Sequence, residues 1–285
     1  MVKHNKPEAL LKGWVELSSL PSIYIRINNT INDRHSSIRD ISDIISGDPS
    51  LTTCLLRLVN SAFYGFSSKF DTISRALLAV GTNQIRDLAM ATSVLRLFRG
   101  TSAGLVSMES LRRHSVACGV AAKMLAKTRP REVNVERFFT AGIIHDIGRL
   151  AIYRMMPDAA QEMILRCRVS NEPLCLVEKD VIGFDHSDLG RAMAQLWNLP
   201  TNLEEMIAYH HFPWEARQYP FEAGVVHIAD YLVHEMQLGD SGEQYIQPLN
   251  KKVWRLVEVP ESILSSISDA LKAEFEDVVK SLGEL

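Results

Sequence analysis

Apolar residues return every three or four positions along almost the whole chain, which is the period of one face of an α-helix. In DPSLTTCLLRLVNSAFYG, Leu51, Leu55, Leu58, Val59 and Ala62 form one stripe. Asp48 is placed to cap that helix, Pro49 stands at its first position, and Gly65 ends the segment. The stretch DTISRALLAVGTNQIRDLAMATSVLRLF predicts two more helices, broken near Gly81. Farther on, Leu111, Cys118, Ala122 and Leu125 mark an inward face that His114 shares. Thr201 and Glu204 have the spacing of a capping box opening TNLEEMIAYHH, where Leu203 and Ile207 point the same way as His210 and His211. After Pro260, the residues Ile267, Leu271, Phe275, Val278 and Leu282 predict a last helix. No segment alternates like a strand, and there is no internal repeat or low-complexity run, so the expected fold class is all-α. Breaks at 100–107 and at Gly239–Gly242 divide the chain into an N-terminal helical lobe (1–104), a histidine-bearing lobe (105–240) and a helical tail (241–285).

Composition agrees with this picture and removes several function classes. The 285 residues are 46% hydrophobic and 23% charged, enough apolar material for a sizeable core. No run approaches the roughly 18 apolar residues of a membrane span, and the first residues lack the apolar stretch of a secretory signal. Cys54, Cys118, Cys167 and Cys175 have no CxxC spacing and read as reduced thiols, so a cytoplasmic location is expected. Net charge is −3 but uneven. Residues 1–113 carry 14 Lys/Arg against 9 Asp/Glu, and residues 114–240 carry 12 against 17. The acidic bias would suit a cation site, although solvated helix faces account for it more simply. The first segment is too weakly basic to imply nucleic acid.

The candidate chemistry lies in the histidines. Of nine, His114, His145, His186, His210, His211 and His227 fall on predicted helices or at their ends, with Asp146 and Asp230 as acidic companions. Imidazole and carboxylate donors together suit Zn2+, Fe or Mn2+. Two such ions about 3.5–4 Å apart can share a bridging carboxylate and clamp a phosphate. Asp146 is placed for the bridge, because it adjoins His145 in AGIIHDIGRL and adjacent helical residues diverge by about 100°. A lone histidine on an apolar face is ordinarily a hydrogen-bonded core residue, and that is the reading for His227. His4 and His35 belong to the surface, and His234, at a polar helix end, is given no role. The inward set as a whole would make an odd core without a cation.

These residues resemble the HD superfamily of metal-dependent phosphohydrolases, in the contexts RHSVACGVAAKMLA, GIIHDIGRL and VHIADYL. The blocks LPSIYIRINNTI, ISDIISGDPSLTTCLLRLVNSAFYG and ISRALLAVGTNQIRDLAMATSVL narrow the resemblance to the HDOD domain, the HD-related output domain of bacterial signalling proteins. The likeness runs from about Leu20 to Asp230. It implies an HD-like helical bundle with an added N-terminal lobe, a bacterial source, and a divalent-metal site for one or two ions of Fe, Mn, Zn or Ni. The ligands it implies are His114, His145, Asp146 and Asp230, with His186, His210 and His211 matching the extra histidines of the HD-GYP phosphodiesterases. Asp146 and Arg149 are the residues it points to for catalysis.

The departures from the HD-GYP pattern are specific. Gln218 replaces the glycine of GYP, Phe212 replaces the acidic residue after the double histidine, Arg149 replaces a phosphate-facing lysine, and Ser110 replaces a third-metal glutamate. Two functions follow as expectations. One is a regulatory module that binds signalling partners and retains its metal. The other is a phosphohydrolase acting on a nucleotide or another phosphoester, though not on cyclic-di-GMP, because FPWEARQYP is bulky where that loop is glycine-rich. Partner recognition is expected on the N-terminal lobe, with Arg57 and Arg86 as its contacts.

Overall fold

The apolar stripes of the sequence become buried helix faces. In the computed structural model, residues 6–12, 22–100, 105–129 and 134–283 are described, and among them there is no strand. The first helices are α1 (Pro7–Leu11), α2 (Ser22–Asn32), α3 (Ile38–Ser46), α4 (Pro49–Val59), α5 (Ile73–Val80) and α6 (Thr82–Leu95). The central group is α7 (Met108–Lys127), α8 (Val135–Ile144), α9 (Ile147–Met155), α10 (Pro157–Ser170) and α11 (Leu174–Ile182). It continues with α12 (His186–Leu196), α13 (Thr201–Ala208) and α14 (Pro220–Glu235), and the tail forms α15 (Lys251–Val257) and α16 (Ile263–Leu282).

Local chemistry sets several boundaries as expected. The Asp48 carboxylate accepts from Leu51 N–H at the start of α4, and Gly81, at φ +103°, separates α5 from α6. Leu51, Leu55, Leu58 and Val59 are buried, whereas Ala62 lies exposed beyond the helix end. The expected capping box at Thr201 does not form. Pro200 occupies the cap position of α13, and Glu204 instead accepts from Arg191 and Gln195.

One hydrophobic core extends from α1 to α16. In the tail helix α16, Ile267, Leu271, Phe275, Val278 and Leu282 are all buried, and the helix packs on α4 and α7. Residues 101–104, where the first seam was placed, lie outside the described residues, as does His4.

The NSAFYG turn has a visible structural job. Asn60 brackets Phe70, donating to its carbonyl (2.8 Å) and accepting from its N–H (2.7 Å). Phe63 and Tyr64 cover the ammonium of Lys123 at 4.5 and 3.5 Å from their ring centres. Lys123 in turn pairs with Glu136 at 2.7 Å, and the Tyr64 hydroxyl donates to the same carboxylate. This buried cluster ties the N-terminal helices to α7 and α8. Arg86, expected as a partner contact, is buried and holds Asp87 at 2.9 Å, so its role is internal, while Arg57 is exposed.

Candidate metal centre

Close helix crossings bring the histidines together. Where α7 crosses α8, a β-carbon on Gly142 would lie 2.5 Å from the Cys118 carbonyl oxygen and 2.6 Å from Gly119 Cα. Only a residue without a side chain permits that approach. It sets His114, on α7, beside the turn after α8 that holds His145 and Asp146. A second crossing pairs α9 with α12, whose first residue is His186, fixed by the reciprocal Asp185–Asp188 capping box. His210 and His211 follow α13, and Asp230 projects from α14.

All seven expected ligands meet at one place. Asp146 stands in the middle. Its Oδ2 lies 3.6 Å from His114 Nε2 and 3.5 Å from His145 Nε2, and its Oδ1 lies 3.3 Å from His186 Nε2 and 3.7 Å from His210 Nε2. Asp230 Oδ1 lies 3.1 Å from His114 Nε2 and 3.6 Å from His145 Nε2. His211 Nε2 is 2.7 Å from His186 Nε2. The donors group as His114, Cys118, His145 and Asp230, as His186, His210 and His211, and as His145, Asp146 and His210, each set able to hold a metal ion.

The ring orientations favour ligation. His145 Nδ1 donates to the Gly142 carbonyl and His210 Nδ1 to the Ile207 carbonyl, both at 2.7 Å. His186 Nδ1 donates to Glu178. A carbonyl or carboxylate only accepts, so each of these rings commits Nδ1 to it and presents Nε2 to the centre. His145 Nε2 and Asp146 Oδ2 are buried without a hydrogen-bond partner. Leaving such groups unsatisfied costs about 1–3 kcal/mol each, so the residues fit a cation. His227 behaves as the core histidine expected, donating from Nδ1 to the His210 carbonyl.

Several participants carried no assignment. Glu178, wholly buried on α11, orients His186 from eight residues upstream in the chain. His234, to which the sequence pattern assigns no role, supports Asp230: one turn after it, its Nδ1 lies 3.1 Å from Asp230 Oδ1 and its ring centre 4.6 Å from that of His114. The i,i+4 spacing from Asp230 was the available signal. Cys118, one turn after His114, is also in the donor group.

Burial and neighbouring charges shift the groups of the cluster in both directions. Burial would raise the Asp146 carboxyl, but Arg149 and the surrounding histidines hold it well below the usual range. Burial likewise opposes the ionised form of Asp230, and His234, His114 and His145 outweigh it. His114 is pushed down to about 4 by burial and by His234. His210 and His211 are lowered by burial and by neighbouring histidines. His234 is raised to about 9 because Asp230 outweighs burial. His145 and His186 are instead raised, because Asp146 and Asp230 in the first case and Glu178 and Asp146 in the second outweigh burial, so these two rings hold protons that a binding cation would have to displace.

Arg149, expected to face phosphate, is 1% exposed and fully engaged. It donates from Nε to Asp146 Oδ1 (3.0 Å) and from Nη1 to the Ser241 carbonyl (3.2 Å), and Nη2 lies 3.6 Å from Glu243 Oε2. Ser241 Oγ also meets His234 Nε2 at 2.9 Å. The segment from Asp240 to Gln247 thus straps the open side of the centre. What remains is a cavity of about 50 Å3, bounded by His211, Phe212, Asp230, His234, Glu243 and Tyr245.

Comparison with known proteins gives one consistent family. The HDOD domain profile matches residues 17–213. An uncharacterized protein of Treponema pallidum (strain Nichols) is 26% identical over 196 residues, covering 69% of this chain, and the chain spans only 38% of that relative's length. Among solved structures, an HDOD domain protein with unknown function from Geobacter sulfurreducens superposes with a TM-score of 0.79 at 23% identity, covering 98% of this chain and 97% of that one. A protein provisionally named a phosphohydrolase, from Shewanella amazonensis SB2B, gives 0.72 at 24% identity, covering 96% and 98%. These likenesses carry the helical fold.

Proposed function

The chain belongs to the HDOD domain family, and on that premise we propose that it is a bacterial signal-transduction module, binding protein partners and keeping an HD-type divalent-metal site for structure or sensing. The observation that carries the reading is the narrowed substrate side. The guanidinium that would meet a phosphate is buried against Asp146, Ser241 and Glu243, and about 50 Å3 of cavity remains beside the donors. Small-molecule sites usually need about 300–1,000 Å3.

The residues that would hold metal are His114, His145 and Asp230 on one side and His186, His210 and His211 on the other, with Asp146 facing both. A divalent cation there would supply Lewis acidity and lower the pKa of a bound water. Glu178 and the Gly142 and Ile207 carbonyls orient the imidazoles, and His234 supports Asp230. Partner recognition belongs on the N-terminal lobe, where Arg57 is exposed at the end of α4.

A second reading, a phosphohydrolase for a small phosphoester, is favoured by the central carboxylate with one oxygen toward each histidine group. The two readings separate in a single-turnover assay. Excess protein loaded with Mn2+ or Fe2+ is mixed with bis(p-nitrophenyl) phosphate, nucleoside monophosphates or cyclic-di-GMP, beside Asp146→Ala. The module reading expects no conversion above the variant. Metal-dependent hydrolysis that disappears in Asp146→Ala would overturn it.

A further inference from the structure

We propose that Cys118 is itself a metal ligand, its thiolate joining His114, His145 and Asp230 in a four-donor site that is closed to substrate. The proposal rests on the reading above that metal binds between these helices, and it deepens that reading.

Position comes first. Cys118 follows His114 by one helical turn, so the two side chains leave α7 on the same face and reach the same point. Its sulfur lies 3.5 Å from His114 Nε2 and 3.8 Å from Asp230 Oδ1. The donor atoms of His114, Cys118, His145 and Asp230 all lie within 4.8 Å of one another. Cys118 is wholly buried, and the Gly142 crossing presses directly on its carbonyl, so the backbone that carries the thiol is fixed. A second, independent observation aims at the same spot: His145 Nε2, buried and without a partner, belongs to this donor group.

The donor chemistry gives the consequence. Two imidazoles, one carboxylate and one thiolate form a mixed N, O and S set of the kind that four-coordinate zinc prefers, and the sulfur disfavours Mn2+ and Mg2+. Four protein donors around a tetrahedral ion leave no position for water, which is the mark of a structural rather than a catalytic site. The group made by His186, His210 and His211 contains no sulfur. The centre is therefore asymmetric, with one closed, soft site of four donors and one harder site on the side of His186 and His210, which Asp146 Oδ1 faces. When the cation binds, the S–H bond breaks, a sulfur–metal bond forms, and one proton leaves to the buffer.

Cobalt substitution tests this directly. Co2+ is added to metal-free full-length protein, bound metal is counted by equilibrium dialysis, and the near-ultraviolet sulfur-to-cobalt charge-transfer band is recorded. Wild type is expected to show the band, Cys175→Ser to keep it, and Cys118→Ser to lose it while still binding Co2+ at the histidine group. Bound cobalt without the band in wild type, or a band that survives in Cys118→Ser, overturns the ligand assignment and leaves metal binding intact. No bound cobalt at all overturns both. If Cys118→Ser does not fold, the protein with Cys54, Cys167 and Cys175 all changed to serine decides the matter: a band that remains can come only from Cys118, and a band that is lost overturns the assignment.

Discussion

Replacing Gly148 by alanine should strike fold and metal centre together. Gly148 follows the His145–Asp146 pair in the first turn of α9, where that helix meets α12. A β-carbon there would lie 2.0 Å from the His186 carbonyl oxygen, 2.9 Å from its carbon and 3.0 Å from Gly190 N, all of them backbone atoms. No rotamer change relieves such a clash, so the helices must part by more than an ångström. Overpacking of this kind costs about 1–3 kcal/mol. Because His186 opens α12, its Nε2 should move away from Asp146 Oδ1, now 3.3 Å distant. Disturbing the support of a ligand typically weakens metal affinity by about 10–100-fold. Urea titration should show a lower midpoint at unchanged slope, and metal titration should show weaker binding. Gly47→Ala is the control: this glycine is exposed at φ −65°, so its change should stay within about 0.5 kcal/mol. Wild-type stability and wild-type metal affinity in Gly148→Ala would refute the reasoning.

Three further outcomes are expected. Lys123→Met should lower stability by about 3–5 kcal/mol in urea titration, since it leaves the Glu136 carboxylate buried without its 2.7 Å cation; a loss under 1 kcal/mol would mean the cluster holds nothing. Arg86→Glu should unfold the protein or lower its stability by a similar amount, opposing Asp87 with a like charge, whereas Arg57→Glu should stay within about 0.5 kcal/mol. If Arg57→Glu also keeps full partner capture in pull-downs, the recognition surface lies elsewhere. Glu243→Ala removes the carboxylate that faces Arg149 and accepts from Leu174 N–H, so hydrogen exchange across Ser241–Gln247 should speed up while metal content holds; unchanged exchange would show that the strap is held without it.

Much of this was legible from residue spacing. The stripes of α4, α7 and α16 predicted buried faces because helical periodicity acts over a few residues, and the convergence of His114, His145, Asp146, His186, His210, His211 and Asp230 could be expected from their inward placement and the HD resemblance. Other features escaped for physical reasons. Thr201 lost its cap role to Pro200, and Glu204 found Arg191 and Gln195, partners supplied by tertiary packing on α12. Glu178 and His234 act on their neighbours as supports and belong to no ligand pattern. The strap from Asp240 to Gln247 has no helical period, and its contact with Arg149 spans 92 residues of chain, so no local pattern announced it. Arg86, expected as a partner contact, lies on a helix whose residues from Ile85 to Leu95 are all buried, a packing that charge and spacing alone do not announce.

The central claim, that the seven convergent donors form a metal centre, is tested most directly by elemental analysis of protein purified without chelator, beside Asp146→Ala. At least one equivalent of Fe, Mn, Zn or Ni is expected in the wild type, and most of it should be lost in the variant, because Asp146 faces both histidine groups. A metal-free wild type whose melting temperature does not move when each of these ions is added would contradict the account.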